Sequence, residues 1–356
     1  MPTDLIIKLI LVVVIFAISL LIAMYSTYAE RKVAAFLQDR LGPDRAGPWG
    51  ILQPAADGMK MFMKEEIIPT RATGFLFIVG PALAIMTACI GSAVIPWGQK
   101  LVIGSTTIDL QVTDINVGIL YIFGVVSLGV YGIMIGGWAS NNKYSLLGAI
   151  RAASQNISYE ISMGLSIIAL LMVTGTLSLR EIAEQQHGFW HGGAIWNGGY
   201  FTWNAFKQPL GFILFLICAF AETNRSPFDL PECETELVGG YHTEYSSMKL
   251  GFYLFAEYIN MFISSAVMVT LYWGAYNYPG MNYIAAHLGA NASVILGVVL
   301  MFMKIFAFIF FFMWVRWTIP RFRYDQLMDL GWKGLIPFAI ANIVVTGLVI
   351  VLYHHH

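Results

Sequence analysis

The chain has 356 residues, 58% of them hydrophobic and only 12% charged, with a net charge of −1. Several uninterrupted apolar runs near 20 residues exclude an ordinary soluble domain and make it a polytopic membrane protein. The near-neutral charge removes any electrostatic case for nucleic acid. No GxGxxG, GxxxxGK[ST] or GxSxG motif appears, so no nucleotide or hydrolase site is readable.

Residues 5–29 form the first expected span, which the charges Glu30, Arg31 and Lys32 end abruptly. Its apolar stretch is too long for a cleavable signal. Residues 33–73 read as a polar to amphipathic loop with turns at Gly42-Pro43 and Gly47-Pro48. Within it, residues 51–64 read as a helix lying flat. At ~100° per residue, Ile51, Leu52, Ala55, Met59, Phe62 and Met63 share an arc of about 120°, while Gln53, Asp57, Lys60 and Lys64 lie opposite. Seven further spans follow, at 74–95, 115–138, 152–176, 205–222, 248–273, 292–316 and 335–353. The expectation is therefore an all-α membrane protein, a single domain over 1–356, with eight spans and one interfacial helix between the first two.

Orientation follows from the basic residues. The segments 31–73, 139–151, 222–249 and 316–333 carry 15 of the 20 Lys and Arg residues. The opposite side carries only Lys8, Lys100, Arg180 and Lys207. The acidic loop 222–250, the basic loop 316–334 and the flat helix are thus expected on the cytoplasmic or matrix side, and both termini on the other.

The stretch 221–257, AETNRSPFDLPECETELVGGYHTEYSSMKLGFYLFAE, holds seven acids: Glu222, Asp229, Glu232, Glu234, Glu236, Glu244 and Glu257. Only Arg225 and Lys249 oppose them. Acids facing lipid cost about 3 kcal/mol each at the bilayer centre, so these must sit in water, in protein or along a wet cavity. Pro227 and Pro231 stop the arriving helix. Glu232, Glu234 and Glu236 alternate and would share one face of an extended segment. A solvated acidic loop is the plain alternative, but Glu222 and Glu257 are continuous with apolar helices. A carboxylate cluster also raises some of its own pKa values.

Glu160 lies inside the fourth span, on a stripe with Asn156 and Gly164. Arg151, Gln155, Ser158 and Ser162 form a second stripe roughly opposite, so this helix packs inside the bundle. Glu160 is either a proton relay or a hydrogen-bonded interhelical glutamate. Lys304 is twelve residues before Arg316, too deep to snorkel, so a buried partner is expected, with Glu160, Glu222 and Glu257 the carboxylate candidates. Arg316, Arg321 and Arg323 are expected to anchor the near side and could also pair with the acidic stretch. Cys89, Cys218 and Cys233 lack CxxC or Cys/His spacing, so no iron–sulfur, zinc or haem site is expected on this chain; Cys89 and Cys218 read as small core residues. His187 and His191 read as inert loop residues, and His242 as a weak candidate proton carrier.

Four strings carry a resemblance: YAERKVAAFLQDRLGPDRAGPWGILQPAADGMKMFMKEEIIP at 28–69, SNNKYSLLGAIRAASQNISYEI at 140–161, the acidic stretch, and PRFRYDQLMDLGWK at 320–333. The chain resembles the H-subunit family of respiratory complex I (NADH:quinone oxidoreductase), whose mitochondrial member is NADH dehydrogenase subunit 1. The resemblance covers the near side and most spans but not the connections 96–114, 177–204 and 274–291. It implies a subunit of a bacterial cytoplasmic or mitochondrial inner membrane complex, holding the membrane end of a quinone chamber. Carried over by position, Glu30, Arg31, Arg40, Asp57, Lys60, Lys64 and Arg225 match the chamber and its entrance. Glu222, Asp229, Glu232, Glu234, Glu236, Glu244 and Glu257 match an acidic connection, Glu160 the start of a charged axis, and Lys304 its counter-charge. The substrate implied is ubiquinone or menaquinone. NADH, flavin and iron–sulfur clusters would sit on partner subunits of the hydrophilic arm, with small membrane subunits and lipid as the other neighbours. A ferredoxin- or deazaflavin-linked complex is the alternative within the family. A self-contained cation transporter and a purely structural anchor are the alternatives outside it; absent repeats oppose the first, buried charges the second.

Overall fold

A computed structural model describes residues 2–104, 106–187, 190–191, 200–232 and 234–354. Cys233 lies outside them, as do the side chains of His191 and Glu234. Fourteen α-helices are defined among the described residues, with two short β-hairpins. In chain order they are α1 (Pro2–Leu37), α2 (Gln53–Met63), α3 (Gly74–Ile90), α4 (Gly118–Ala139), α5 (Lys143–Thr174), α6 (Leu179–Gln185), α7 (Asn204–Lys207) and α8 (Pro209–Glu222). Then come α9 (Glu234–Leu237), α10 (Ser247–Tyr272), α11 (Met281–Leu288), α12 (Ala290–Thr318), α13 (Tyr324–Asp329) and α14 (Ile336–His354). The connection 96–114 holds two short antiparallel strands, with Leu101 opposite Ile108.

Among the described residues, seven helices are long and apolar enough to cross a membrane, which agrees with an all-α polytopic protein. The expected span at 205–222 differs. Its chain is broken at Gln208, and α8 alone is 14 residues, ~21 Å at 1.5 Å per residue, short of a ~30 Å hydrocarbon core. Pro209 opens α8, where its missing N–H costs nothing, and separates it from α7.

Charged residues did not end helices where the sequence suggested. α1 runs through Glu30, Arg31 and Lys32 to Leu37. Those three are good helix formers, and only the apolar stretch ends with them; the backbone helix stops ahead of the Gly42-Pro43 turn. Likewise α5 begins at Lys143, with the Asn142 side chain accepting the Tyr144 N–H at 2.9 Å as N-cap.

The bundle is built around α10. Inside the protein, 72% of its most apolar stretch is buried, against 11% for α1, which leans on α10 and α12 from the rim. Close packing of α3, α4 and α10 requires glycine at Gly136: a Cβ there would lie 1.9 Å from the Tyr253 hydroxyl. Small residues let these backbones approach, as in other membrane bundles. Both polar stripes of α5 turn inward, with Gln155, Asn156, Ser158 and Ser162 all buried. Cys218 is buried in α8 and Cys89 half-buried in α3.

Lys304 has an internal partner, but not a carboxylate. Its ammonium donates to the carbonyls of Trp273 (2.8 Å), Ala275 (2.9 Å) and Asn277 (2.7 Å), and sits 4.4 Å from the centre of the Trp203 ring. The reason is the end of α10. A helix C-terminus leaves carbonyls unpaired and carries partial negative charge, so it satisfies a cation without a second ion. The turn that aims these carbonyls inward puts Gly274 and Ala275 in the left-handed region, at φ 72° and 46°. Lys304→Met would leave three carbonyls unpaired in the interior, for a loss of about 3 kcal/mol or more. Thermal unfolding of the purified protein checks this: the midpoint falls for Lys304→Met, and an unchanged midpoint would show that the turn holds without its cation.

Candidate functional site

Four elements meet at one carboxylate. Glu30, near the end of α1, accepts from Arg225 Nη1 at 3.2 Å and from the Tyr258 hydroxyl at 2.8 Å, and pairs with Arg316 of α12. Arg225 comes from the connection after α8, and its guanidinium lies 4.1 Å above the Tyr258 ring. Arg225 Nη2 also faces Glu257 of α10 at 4.0 Å. Glu30, Arg225 and Glu257 are all buried. Buried charges persist only when paired and hydrogen-bonded, so these contacts fix the relative positions of all four elements.

The cluster extends in two directions. On one side the Tyr241 hydroxyl donates to Glu257 at 3.0 Å and to Glu232 at 3.5 Å, and His242 Nδ1 lies 3.6 Å from Glu232. On the other, Asp229 pairs with Arg321 at 2.9 Å. Burial, and then the neighbouring Glu232, push the Asp229 carboxyl up to about 7 against the pull of Arg321. The buried acids Glu30, Asp229 and Glu257 and the half-buried Glu232 thus face the guanidiniums of Arg225, Arg316 and Arg321. One acid is in excess, so the cluster has room for a shared proton.

A small polar cavity of about 30 Å³ continues inward from Glu257. Tyr241, Asn156, Asn224, Asn260 and Glu222 line it. The Asn156 Oδ1 is buried and has no protein partner, and the cavity is large enough to hold water beside it. Gln155 braces this wall, donating to the carbonyls of Ala221 (2.7 Å) and Phe228 (2.8 Å). Glu222 stands at the inner end of the cavity and interacts electrostatically with Glu160, whose carboxylate accepts from Ser127 of α4.

Other expected site residues lie elsewhere. Arg31 pairs with Asp57 at 2.8 Å, with Lys60 at 3.8 Å from the same acid, so these three tie α1 to α2. Arg40 is exposed, and its Nε donates to neighbouring Gln38 at 2.7 Å. Lys64 is exposed, and its carbonyl accepts from Ser247. The expected common face of Glu232, Glu234 and Glu236 does not form, because Glu234–Leu237 is a helical turn. Glu232 faces inward, whereas Glu236 reaches Arg151 at 2.6 Å. Glu244 accepts from Asn142 at 2.6 Å. Lys249 pairs with Glu66, not with the acidic stretch, and Arg323 with nearby Asp325 at 2.8 Å. Lys304 is remote from the acids, at the far end of α10. His187 is exposed and contacts Asn282 at 3.0 Å.

Tyr241 and Tyr258 were missed by sequence reasoning. Tyr258 directly follows the intramembrane Glu257, and a buried tyrosine needs a partner for its hydroxyl, which is the signal that would have found it.

The raised carboxyl of Asp229 predicts a pH dependence. Between the ordinary carboxylate range and about 7 the folded protein holds a proton that the unfolded chain has lost, so this group's contribution to stability falls as pH rises through that window. Unfolding midpoints from pH 5 to 8 should decline less steeply in Asp229→Asn than in the parent; parallel curves would refute the assignment.

Comparison with known proteins places this geometry in a family. The family model described as NADH dehydrogenase matches residues 9–347. An NADH-quinone oxidoreductase H subunit of Cytophaga hutchinsonii, the first of its numbered copies, is 66% identical over 346 residues, covering 97% of each chain. The NADH-quinone oxidoreductase H subunit of Flavobacterium johnsoniae is 63% identical over 96% of this chain and 95% of its own. That of Geobacter metallireducens, a second numbered copy, is 48% identical over 95% of this chain and 94% of its own. A match spanning nearly the whole chain, at such identities, means that this protein belongs to the NADH dehydrogenase family.

Proposed function

We propose that the chain is the membrane-embedded H subunit of a proton-translocating NADH-quinone oxidoreductase. It contributes the membrane end of the quinone chamber and links quinone reduction to proton transfer. The observation that carries this is the run of acids: Glu30 and Glu257, buried, and Glu232, half-buried, lie beside the loops, a polar cavity joins Glu257 to Glu222, and Glu222 interacts electrostatically with Glu160. An anchor has no use for carboxylates held so expensively.

In this reading α8, continued by α7 beyond the break at Gln208, crosses the membrane as an eighth span. The loops 33–73, 222–250 and 316–334 face the cytoplasm as parts of a single membrane domain, and both termini face away. α2 lies in the interface. Supporting this, Ile51, Leu52, Met59, Phe62 and Met63 are exposed, while Asp57 turns toward Arg31 of α1. The exposed apolar arc suits lipid or a quinone tail, and Arg31, Asp57, Lys60, Lys64 and Arg40 then border the entrance. NADH, flavin and iron–sulfur chemistry belong to partner subunits of the hydrophilic arm. Quinone is the substrate that this chain helps to hold.

The chain's own part in the chemistry is electrostatic. Reducing a quinone consumes two protons and changes the charge of the chamber. A cluster with one more acid than guanidinium responds by taking up or releasing a proton, and Tyr241 connects Glu232 with Glu257 for that purpose. Asn156, Asn224 and Asn260 hold water between Glu257 and Glu222, and Glu160 receives the proton beyond.

Purifying the complex and identifying its subunits and bound quinone tests the reading at its root. Two substitutions test its parts. Met59→Glu charges the exposed arc of α2 and should raise the KM for quinone roughly tenfold or block assembly, while Gln53→Glu changes little; equal effects would remove the interfacial placement. Glu160→Gln should assemble and lose protons pumped per electron pair in reconstituted vesicles, with a slower quinone reductase rate in a tightly coupled enzyme. Normal stoichiometry at normal rate would leave Glu160 a structural interhelical glutamate.

A further inference from the structure

Glu222 borders a second cavity of about 40 Å³ as well as the polar one. The two share Val126, Glu222, Thr223 and Asn260. Beyond these, the second is walled by Ile122, Phe123, Met163, Phe215, Ile263 and Val267, with Ser264 as its one added polar group. It extends away from Glu30: Val267 is ten residues past Glu257 on α10, ~15 Å, and Ile122 is only four residues from the start of α4, ~6 Å. The volumes are similar, but away from the shared wall the linings differ: the first adds Asn156, Asn224, Tyr241 and Glu257, the second almost only apolar side chains. The polar cavity offers a carboxylate at either end and the unpartnered Asn156 Oδ1, whereas an apolar cavity of this size stays dry.

We propose that the second cavity is a dry plug, which closes the interior of this chain to protons on the side away from Glu30. The proposal rests on the relay reading above and adds a barrier on the far side of Glu222. A proton that reaches Glu222 stands at the boundary between wet and dry space. Going straight on, it meets isoleucine, valine, methionine and phenylalanine side chains that cannot solvate it, the dewetted barrier by which apolar constrictions close pores. Sideways it meets Glu160, whose partner Ser127 neighbours Val126 in the shared wall. The plug therefore keeps the protein from leaking protons across its own far face.

The test uses the assembled complex in proteoliposomes, with passive proton influx measured under an imposed pH gradient and without NADH or quinone. Val267→Asn places an amide in the plug, and Ile263→Thr a hydroxyl with little change of shape. Either should raise influx about fivefold or more by hydrating the constriction, while Val267→Ile stays at the parent level and quinone reductase turnover remains within about twofold in all three. Glu222→Gln added to the leaking variant should return influx toward the parent level, because the leak enters through Glu222. Assembled Val267→Asn and Ile263→Thr complexes that remain tight to protons would overturn the plug, as would a leak indifferent to Glu222→Gln. Failure of the underlying functional reading is seen separately, as a parent preparation without NADH-quinone turnover, since the influx measurement involves no turnover.

Discussion

The fold depends on satisfying the carboxylate of Glu30. A lone carboxylate in the interior is too costly to keep ionised, and Glu30 escapes that cost by drawing Arg225, Arg316 and Tyr258 to itself. Those residues come from the connection after α8, the end of α12 and the middle of α10. One charge therefore decides how α1, which otherwise stands at the rim with little of its surface buried, is held to the bundle. The arrangement also explains why residues 223–231 are buried against the bundle and not solvated. Arg225 and Asp229 need partners, and the partners, Glu30, Tyr258 and Arg321, belong to the helices and to the connection beyond α12.

The same constraint makes the cluster responsive. Three guanidiniums held among four acids, three of them buried, leave one acid without a guanidinium, so charge in the cluster is set by proton occupancy as well as by composition. Asp229 reflects this: burial outweighs its ion pair with Arg321, and its carboxyl is raised to about 7. Such a group changes state on small changes of local field. From there inward, polarity falls in steps. The cluster is ionic, the cavity beside Asn156 is polar, and the space beyond Glu222 is apolar. Contrast in solvation, more than any one residue, gives the interior a direction.

How much of this was legible depended on the range of the interaction that decides it. The polytopic class, the inward stripes of α5 and the outward apolar arc of α2 were readable, because each is a periodic pattern within one helix. The acidic stretch was legible as a place where chemistry must lie, since apolar runs on both sides made its charges expensive. Helix ends were less legible. Glu30-Arg31-Lys32 marks where an apolar surface ends, which is a statement about solvent, and α1 continues past it because those residues suit a helix. The break between α7 and α8 was hidden in a run whose composition reads as one span.

Pairing was not legible at all. Twelve residues separate Lys304 from Arg316, and that distance implied a buried partner; it could not reveal that the end of α10 offers three carbonyls, because backbone groups have no sequence signature. Nor could Glu30 be matched to Arg225, 195 positions away, or Tyr241 to Glu257. The sequence by itself determined the class of the protein, the family and the groups that cannot face lipid, because these follow from composition, from ordered motifs and from the cost of burying charge. Only the tertiary structure decided which of those groups meet, since that choice is made by the crossing of helices distant along the chain, and the free energy of a buried charge depends on what lies within a few ångströms of it.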